Sequence, residues 1–353
     1  MIYIFIFIAL ILLRYSLLGH PRLQWQFYPL VLLFLYIFTA FRFQVGCDWS
    51  TYYQIYQAFD VIIERGYIAL REPLWFLLMG ALHKLDASFV WVNVMSATIF
   101  FLGIDRLARK TPDPLGFLIM LFPILIINIP MSAIRQAAAL GFLCYAFAAF
   151  LEKKQKKYIF FAIIATGFHT SALLFIPLVM FIHGKNSYKR IIAAILIELP
   201  LLGLMWLSSY VEAKSKAYVG TGYDAEAAIF RSGILAISAL VFFLFYKNKW
   251  KEQFPYDYNF IHITSLAMLG NFFIVFFSTV ISDRLGYYFI TMQAILFARL
   301  PMFERSQFRI FFVAAPYLGL LLIFLVWTSL SPHFNSCYLP YQSWLFGLPG
   351  PIL

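Results

Sequence analysis

Four short polar clusters stand out from an otherwise apolar chain, and each holds residues able to do chemistry. The first is FRFQVGCDWSTYYQIYQ, residues 41–57. After Arg42 and a turn at Gly46, Asp48, Tyr52 and Tyr56 recur at spacing four, which stacks them on one helix face. A carboxylate beside two tyrosines suits a sugar ring, whose C–H face packs on an aromatic ring while its hydroxyls need acceptors. The plainer reading is an amphipathic interfacial helix capped by Asp48. The second cluster is PMSAIRQAAAL, residues 130–140, with Arg135 and Gln136 just inside an apolar helix. Arg135 either snorkels to the interface or holds a phosphate with its planar fork.

The third cluster is GFHTSALL, residues 167–174. His169 there is either a packed ring at a helix start or a proton-transfer group or phosphate ligand, since imidazole titrates near neutrality. The fourth is STVISDRLGYYF, residues 278–289. Asp283 is placed to cap a helix and Arg284 to clamp a phosphate; the alternative is a local ion pair. Arg231 opens another apolar run in the same way and is a third candidate cation. Glu198, in LIELP, is either a buried hydrogen-bonded acid or a functional group. No GxSxG is present, so a serine-hydrolase reading has no support.

The elements that must carry these clusters follow from composition. The chain has 353 residues, 63% of them apolar, 20% aromatic and only 12% charged, with a mean hydropathy of +0.81. Soluble domains carry about 25% charged residues, and a soluble fold this apolar would expose large patches and aggregate. A cytosolic enzyme, a nucleic-acid-binding domain and a disordered chain are excluded. A polytopic membrane protein remains. The opening MIYIFIFIALILL has neither a basic start nor a small-residue cleavage site, and reads as the first membrane helix.

Apolar runs of about 20 residues cross a bilayer, and in lipid they must be helices. Such runs lie at 2–18, 25–41, 88–105, 115–130, 132–151, 190–207, 229–246, 259–281, 285–300 and 309–330. Residues 157–183 are too long for one comfortable span and are interrupted by GFHTS. They read as two short helices meeting at His169, with the tip at the outer face. The expectation is an all-α bundle of about twelve spans forming a single transmembrane domain over 1–353. Outer loops lie near 42–71 and 208–228, and the tail 331–353 is on the same side.

Charge orients this bundle. The net charge is +11, and the topology puts 18 of the 27 Lys and Arg residues on one face. The other face then carries nine basic and nine acidic residues. The positive-inside rule makes the first face cytoplasmic and accounts for the basic balance without nucleic acid. The apolar stretch 72–84, EPLWFLLMGALHK, breaks the parity if it crosses. It is therefore placed as a re-entrant or interfacial helix on the outer face, with Pro73 in its first turn.

All four clusters fall on the outer face in this topology. Arginines, an aspartate, a histidine and tyrosines gathered there suit a membrane-anchored pyrophosphate carrying a sugar. Arginines can neutralise a leaving diphosphate without a metal, and a carboxylate or imidazole can take the proton of an attacking hydroxyl. Cys47, Cys144 and Cys337 show no metal spacing and no CxxC, so neither a zinc site nor a disulfide scaffold is indicated. A single Cys47–Cys337 disulfide remains open, since both lie on the outer, oxidising side.

The order of motifs resembles the EpsG family of membrane proteins. It runs R-x-x-x-G-x-D-W at 42–49, E-P at 72–73, S-x-x-R-Q at 132–136, F-H-x-S-A at 168–172, D-R at 283–284 and L-P-Y-Q at 339–342. That family includes Wzy-type polymerases of O-antigen, capsule and exopolysaccharide. The resemblance implies a bacterial inner-membrane polymerase working at the periplasmic face. It would join undecaprenyl-pyrophosphate-linked oligosaccharide repeat units by glycosyl transfer. It also implies a likeness to metal-independent, multi-spanning glycosyltransferases of the GT-C type, with no cofactor, although no D-x-D or E-x-D follows the first hairpin here.

On this reading Asp48 or His169 is the base and Glu72 a third candidate acid. Arg135 and Arg284, with Arg42 or Arg231, bind the diphosphate, beside Gln136 and Asp283. Tyr52, Tyr56 and the tail around Tyr341 line the sugar site. Partners would be the lipid-linked oligosaccharide, membrane lipid, a chain-length regulator and a flippase. The alternatives are a single-addition transferase using a polyprenyl-phosphate sugar, an O-antigen ligase, and a transporter. A transporter needs polar groups along a midplane path, whereas these collect at one face.

Overall fold

The computed structural model describes residues 2–64, 72–183, 187–207, 228–303 and 309–346. The fold is helical; among the described residues the only strand-like pairing is a single bridge between Arg42 and Ser343. Most of the outer loop expected at 208–228 lies outside the described residues. So do positions 65–71 of the first loop and 347–353 of the tail.

The helices follow the apolar runs closely. They are α1 (Ile2–Ser16), α2 (Pro21–Ala40), α3 (Trp49–Gln57), α4 (Phe59–Glu64), α5 (Pro73–Lys84) and α6 (Val90–Ala108). Then α7 (Pro114–Leu121) runs through a π turn (Phe122–Ile126) into α8 (Ile127–Met131). Next come α9 (Ile134–Leu151), α10 (Gln155–Phe168), a 3-10 helix (Thr170–Phe181) and α11 (Tyr188–Leu207). The last group is α12 (Ala228–Val241), a π turn (Phe242–Tyr246), α13 (Lys247–Gln253), α14 (Pro255–Ile274), α15 (Thr279–Phe303), α16 (Arg309–Leu330) and α17 (Pro332–Tyr338). Among the described residues, six stretches are long and apolar enough to cross a membrane: Pro21–Ala40, Val90–Ala108, Pro114–Met131, Ile134–Leu151, Ala228–Gln253 and Val313–Leu330. The break expected at His169 is present between α10 and the 3-10 helix. The helix expected to start at Asp283 starts earlier, at Thr279, where Ser278 Oγ accepts from the Ile281 amide.

Two compact units divide the chain. The first comprises Met1–Tyr145, Ile164–Thr170 and Phe297–Leu353. At its centre α7 is buried along its whole length, as a helix apolar on every side must be. Its start is fixed by Asp113, which accepts from the Gly116 amide at 2.8 Å, followed by Pro114 at the first helical position. Arg14, at the end of α1, donates to the same carboxylate at 2.5 Å. By contrast α2 buries Val31, Leu35 and Phe38 and exposes Leu30, Leu33 and Phe34, the pattern of a helix with one face in lipid. Helices α6 and α9 cross at Gly103 and Gly141, where a Cβ on either would collide with the other helix's backbone. Small residues at such crossings let helices approach closely in a bilayer.

The loop 41–48 of this unit is held from two sides. On one side lies the C-terminal segment. Phe43 N donates to Gln342 O at 2.9 Å, Trp344 N to Phe41 O at 2.8 Å and Gly46 N to Cys337 O at 2.7 Å. Tyr341 stacks on Phe38 with centroids 4.4 Å apart and donates to the Phe38 carbonyl. A disulfide joins Cys47 to Cys337. On the other side, Gly46 presses against the Met131 carbonyl and the Asp48 amide donates to Ser132 Oγ at 3.2 Å. Gly46 has φ +107°, and a Cβ there would meet the Met131 carbonyl oxygen. We expect Gly46→Ala to destabilise the first unit by about 2–3 kcal/mol, read as a lower unfolding temperature in detergent.

The second unit comprises Ala146–Ile163 and Ser171–Leu296. Its core stacks Phe147, Phe150, Phe175 and Phe260 around Tyr158, whose hydroxyl donates to the Phe175 carbonyl. A polar string crosses it: Ser232 Oγ and Ser282 Oγ are 2.7 Å apart, and Asn271 Nδ2 donates to the Ser282 carbonyl at 3.2 Å. Glu198 lines an otherwise largely apolar cavity of about 340 Å³ with Phe175, Ile195, Ile263, Gly270 and Leu285.

Candidate active site

The site begins with a proline. Pro73 opens α5 and places Glu72 immediately before the helix. An acid there ordinarily caps its own helix, but the Glu72 side chain makes no such bond. Its carboxylate turns instead to two other elements of the first unit. Oε1 is 2.5 Å from His169 Nδ1, at the end of α10, and 3.5 Å from the Thr170 amide. Oε2 accepts from Arg135 Nη1, at the start of α9, at 2.5 Å. The break after α10 is what lets His169 turn toward this carboxylate.

Arg135 is held a second time. Its Nε donates to the Tyr52 hydroxyl at 3.1 Å, and its guanidinium lies 5.6 Å from the Tyr52 ring centroid. Tyr52 packs edge-on against Trp75, 5.9 Å between centroids, so α3 and α5 together fix the ring. Glu72 and His169 are buried, 6% and 9% exposed, whereas the Arg135 side chain keeps 25% of its surface open. A buried carboxylate–imidazole pair thus stands behind a cation that an anionic group can reach.

Burial by itself would push the Glu72 carboxyl up. The hydrogen bond and charge of His169, and then the charge and bond of Arg135, outweigh it and hold the carboxyl down at about 2. Glu72 is therefore ionised throughout the physiological range. Burial raises the Tyr52 phenol, with Arg135 opposing, so Tyr52 remains a neutral partner. A carboxylate near 2 is a poor proton acceptor at neutral pH, because the best general base titrates near the working pH. Glu72 is suited to orienting His169 by holding its Nδ1.

The structure brings Glu72, Arg135, His169 and Tyr52 together, with Gln136 buried next to Arg135. Asp48 is exposed just before α3, and its carboxylate does not cap that helix as the capping reading expected. Tyr56 shares the buried face of α3 with Tyr52, yet its hydroxyl donates to the Ala87 carbonyl at 2.7 Å. Arg42 is 1% exposed. It is spent on the carbonyls of Thr39, Val45 and Met131 and on Asn93 Oδ1, so it acts here as a brace rather than an open cation. Burial lowers its guanidinium to about 10, which leaves it charged at neutrality. Tyr341 is committed to Phe38.

Arg231, Asp283 and Arg284 belong to the second unit. Arg231 Nε donates to Asp283 Oδ1 at 2.6 Å, and its guanidinium sits 5.1 Å from the Tyr287 ring centroid. Asp283 thus pairs with Arg231 across helices α12 and α15, a long-range ion pair in place of the local one at Asp283 and Arg284 that the sequence left open. Sequence reasoning missed Ser132 and Asn93, the side chains that secure the 41–48 loop. Ser132 was visible as the first residue of S-x-x-R-Q; nothing marked Asn93 within its apolar run.

Comparison with known proteins gives one match: the model of the EpsG family covers residues 25–343. No curated protein and no solved structure matches the chain.

Proposed function

The chain belongs to the EpsG family, and on that premise we propose that it polymerises lipid-linked oligosaccharide repeat units into a surface polysaccharide. The family makes it a multi-pass membrane protein of the polysaccharide-polymerase type. Undecaprenyl diphosphate as the carrier, the bacterial inner membrane and a periplasmic active site are our reading. The observation that carries the mechanism is Glu72 bridging His169 and Arg135.

In this mechanism a sugar hydroxyl at the non-reducing end of one unit attacks the anomeric carbon of the growing glycan. The new C–O bond forms as the bond to the lipid diphosphate breaks. His169 Nε2 takes the hydroxyl proton while Glu72 holds Nδ1–H and stabilises the resulting imidazolium. Arg135, with its partly open guanidinium, meets the charge that develops on the departing diphosphate. That charge stabilisation requires no metal. Asp48 lies exposed just before α3 and is the acceptor offered to a sugar hydroxyl, whereas Tyr52 and Tyr56 are buried and brace the site.

The disulfide supports the outer-face assignment. Such a bond forms where the surroundings are oxidising, and it requires both cysteines on one face. With about twelve spans, the spans between Cys47 and Cys337 give an even number of crossings only if α5 does not cross. This favours α5 lying in the outer interface, with Glu72 at that face.

The test is a gel of surface glycan from cells lacking this chain. We expect the ladder to collapse to lipid core plus one repeat unit. An unchanged ladder, or loss of even the single unit, would discard polymerisation. Long chains retained on the lipid carrier would mark a ligase instead.

A further inference from the structure

We propose that the C-terminal segment 337–344 is a positioning element of the Glu72–Arg135–His169 site, and that the Cys47–Cys337 disulfide keeps it in place. The role rests on reading that cluster as the active site, whereas the mechanical linkage stands on the contacts themselves.

The linkage can be followed residue by residue. The disulfide and the Gly46–Cys337 backbone bond fasten α17 to the loop 41–48. Residues 341–344 then lie along the other end of that loop, through Phe43–Gln342, Trp344–Phe41 and Arg42–Ser343. From the loop, two routes lead to Arg135. In one, Arg42 Nε donates to the Met131 carbonyl at 2.8 Å and the Asp48 amide to Ser132 Oγ, which fixes the backbone three residues before Arg135. In the other, Asp48 leads directly into α3, whose Tyr52 accepts from Arg135 Nε.

No residue of the tail touches Glu72 in these contacts; the segment acts through the loop. Cys47 is exposed and Cys337 half-buried, so a reductant or an oxidoreductase can reach the bond. The site's geometry is thereby tied to the thiol state of the outer compartment. The groups facing Glu72 are His169 and the Thr170 amide beyond α10, Arg135 on α9 and Tyr52 on α3, with Asp48 acting on Tyr52. Of these, Arg135, Tyr52 and Asp48 depend on the loop, whereas His169 does not. Loosening the loop must weaken the Arg135 contribution to Glu72 and leave that of His169.

The experiment follows the protonation of Glu72 by infrared spectroscopy on the full chain in lipid nanodiscs, isolating its carboxyl band by subtracting Glu72→Gln. At a pH of about 3.5, below the ordinary glutamate value, the oxidised protein is expected to keep Glu72 ionised. Cys47→Ser is expected to shift the Glu72 midpoint upward by about one unit, enough for the protonated band to appear. Tyr52→Phe should reproduce part of the shift, and adding Cys47→Ser to it should give less than the sum. Wild type reduced after folding, with a soluble phosphine, provides the same comparison if Cys47→Ser does not accumulate. A lower unfolding temperature with an unmoved Glu72 midpoint would overturn the proposal and leave the bond a simple staple. Glycan ladders from Cys47→Ser cells should be shortened at equal protein level; a full-length ladder would likewise count against it. If wild type supports no ladder at all, the polymerase reading falls, and the infrared result still decides the linkage.

Discussion

Cells carrying Arg135→Ala are expected to hold the protein in their membrane and to make no long-chain glycan. Two losses combine. The cation proposed to meet the leaving diphosphate disappears, and a single charge-stabilising donor is worth about 100-fold to 1,000-fold in rate. The Glu72 carboxylate also loses the partner on its Oε2. A buried charge stripped of a partner destabilises the fold, by about 1–3 kcal/mol for a pair this open to solvent. The second effect could mimic the first by depleting the protein. Measuring the membrane level and unfolding temperature of Arg135→Ala separates them: chain extension normalised to folded protein should still be lost. Arg135→Lys should recover little, since one ammonium does not reproduce a fork spanning Glu72 and the Tyr52 hydroxyl. Normal extension per folded Arg135→Ala protein would remove Arg135 from the chemistry.

Glu72→Gln is the other substitution with a large expected effect. The shape is kept, but the anion that orients His169 and favours its protonated form is lost. Positioned proton transfer contributes about 100-fold to 10,000-fold, and most of that should vanish from the initial rate of chain extension. The same variant has a stability signature of definite sign. Glu72 is depressed from 4.5 to about 2 in the folded protein. Its contribution to stability is therefore complete above about pH 4.5 and is lost as pH falls toward 2. Thermal unfolding of wild type should weaken across that window, and Glu72→Gln should lack that component. A variant with an unchanged acid limb and normal turnover would remove Glu72 from both roles.

Much of the scaffold was legible in the sequence because lipid leaves the backbone no choice. An apolar run of membrane length must be helical, so the helix positions followed from the runs, and GFHTS marked the break at His169. Spacing four put Tyr52 and Tyr56 on one face of α3, and the structure buries that face where the sequence reading offered it to a sugar. What that spacing could not convey is the partner of each hydroxyl. Tyr52 meets Arg135 and Tyr56 meets a carbonyl at residue 87, because those choices are made by elements distant in the chain. Arg42 and Arg135 look alike in sequence, each beside the end of an apolar run. One is walled in by backbone carbonyls and the other stays open, a difference set by tertiary packing alone. Glu72 gave the weakest signal of the group, a lone acid before a proline, yet its carboxylate is the one that joins His169 to Arg135.

The disulfide also has a consequence for the order in which the molecule is made. Its two cysteines are 290 residues apart, so at ~5–20 residues per second Cys47 waits about 15–60 s for Cys337 to be synthesised. On the proposed topology, the thiol is exposed during that interval to every other thiol and oxidant at the outer face. The early loop can be locked only after α16, which precedes Cys337, has been made. A ribosome that stops between Arg309 and Cys337, or an α16 that fails to insert, leaves a chain with Arg135 and His169 but without the lock. Closure of this bond is therefore a chemical report that translation and insertion have both reached the end of the described fold.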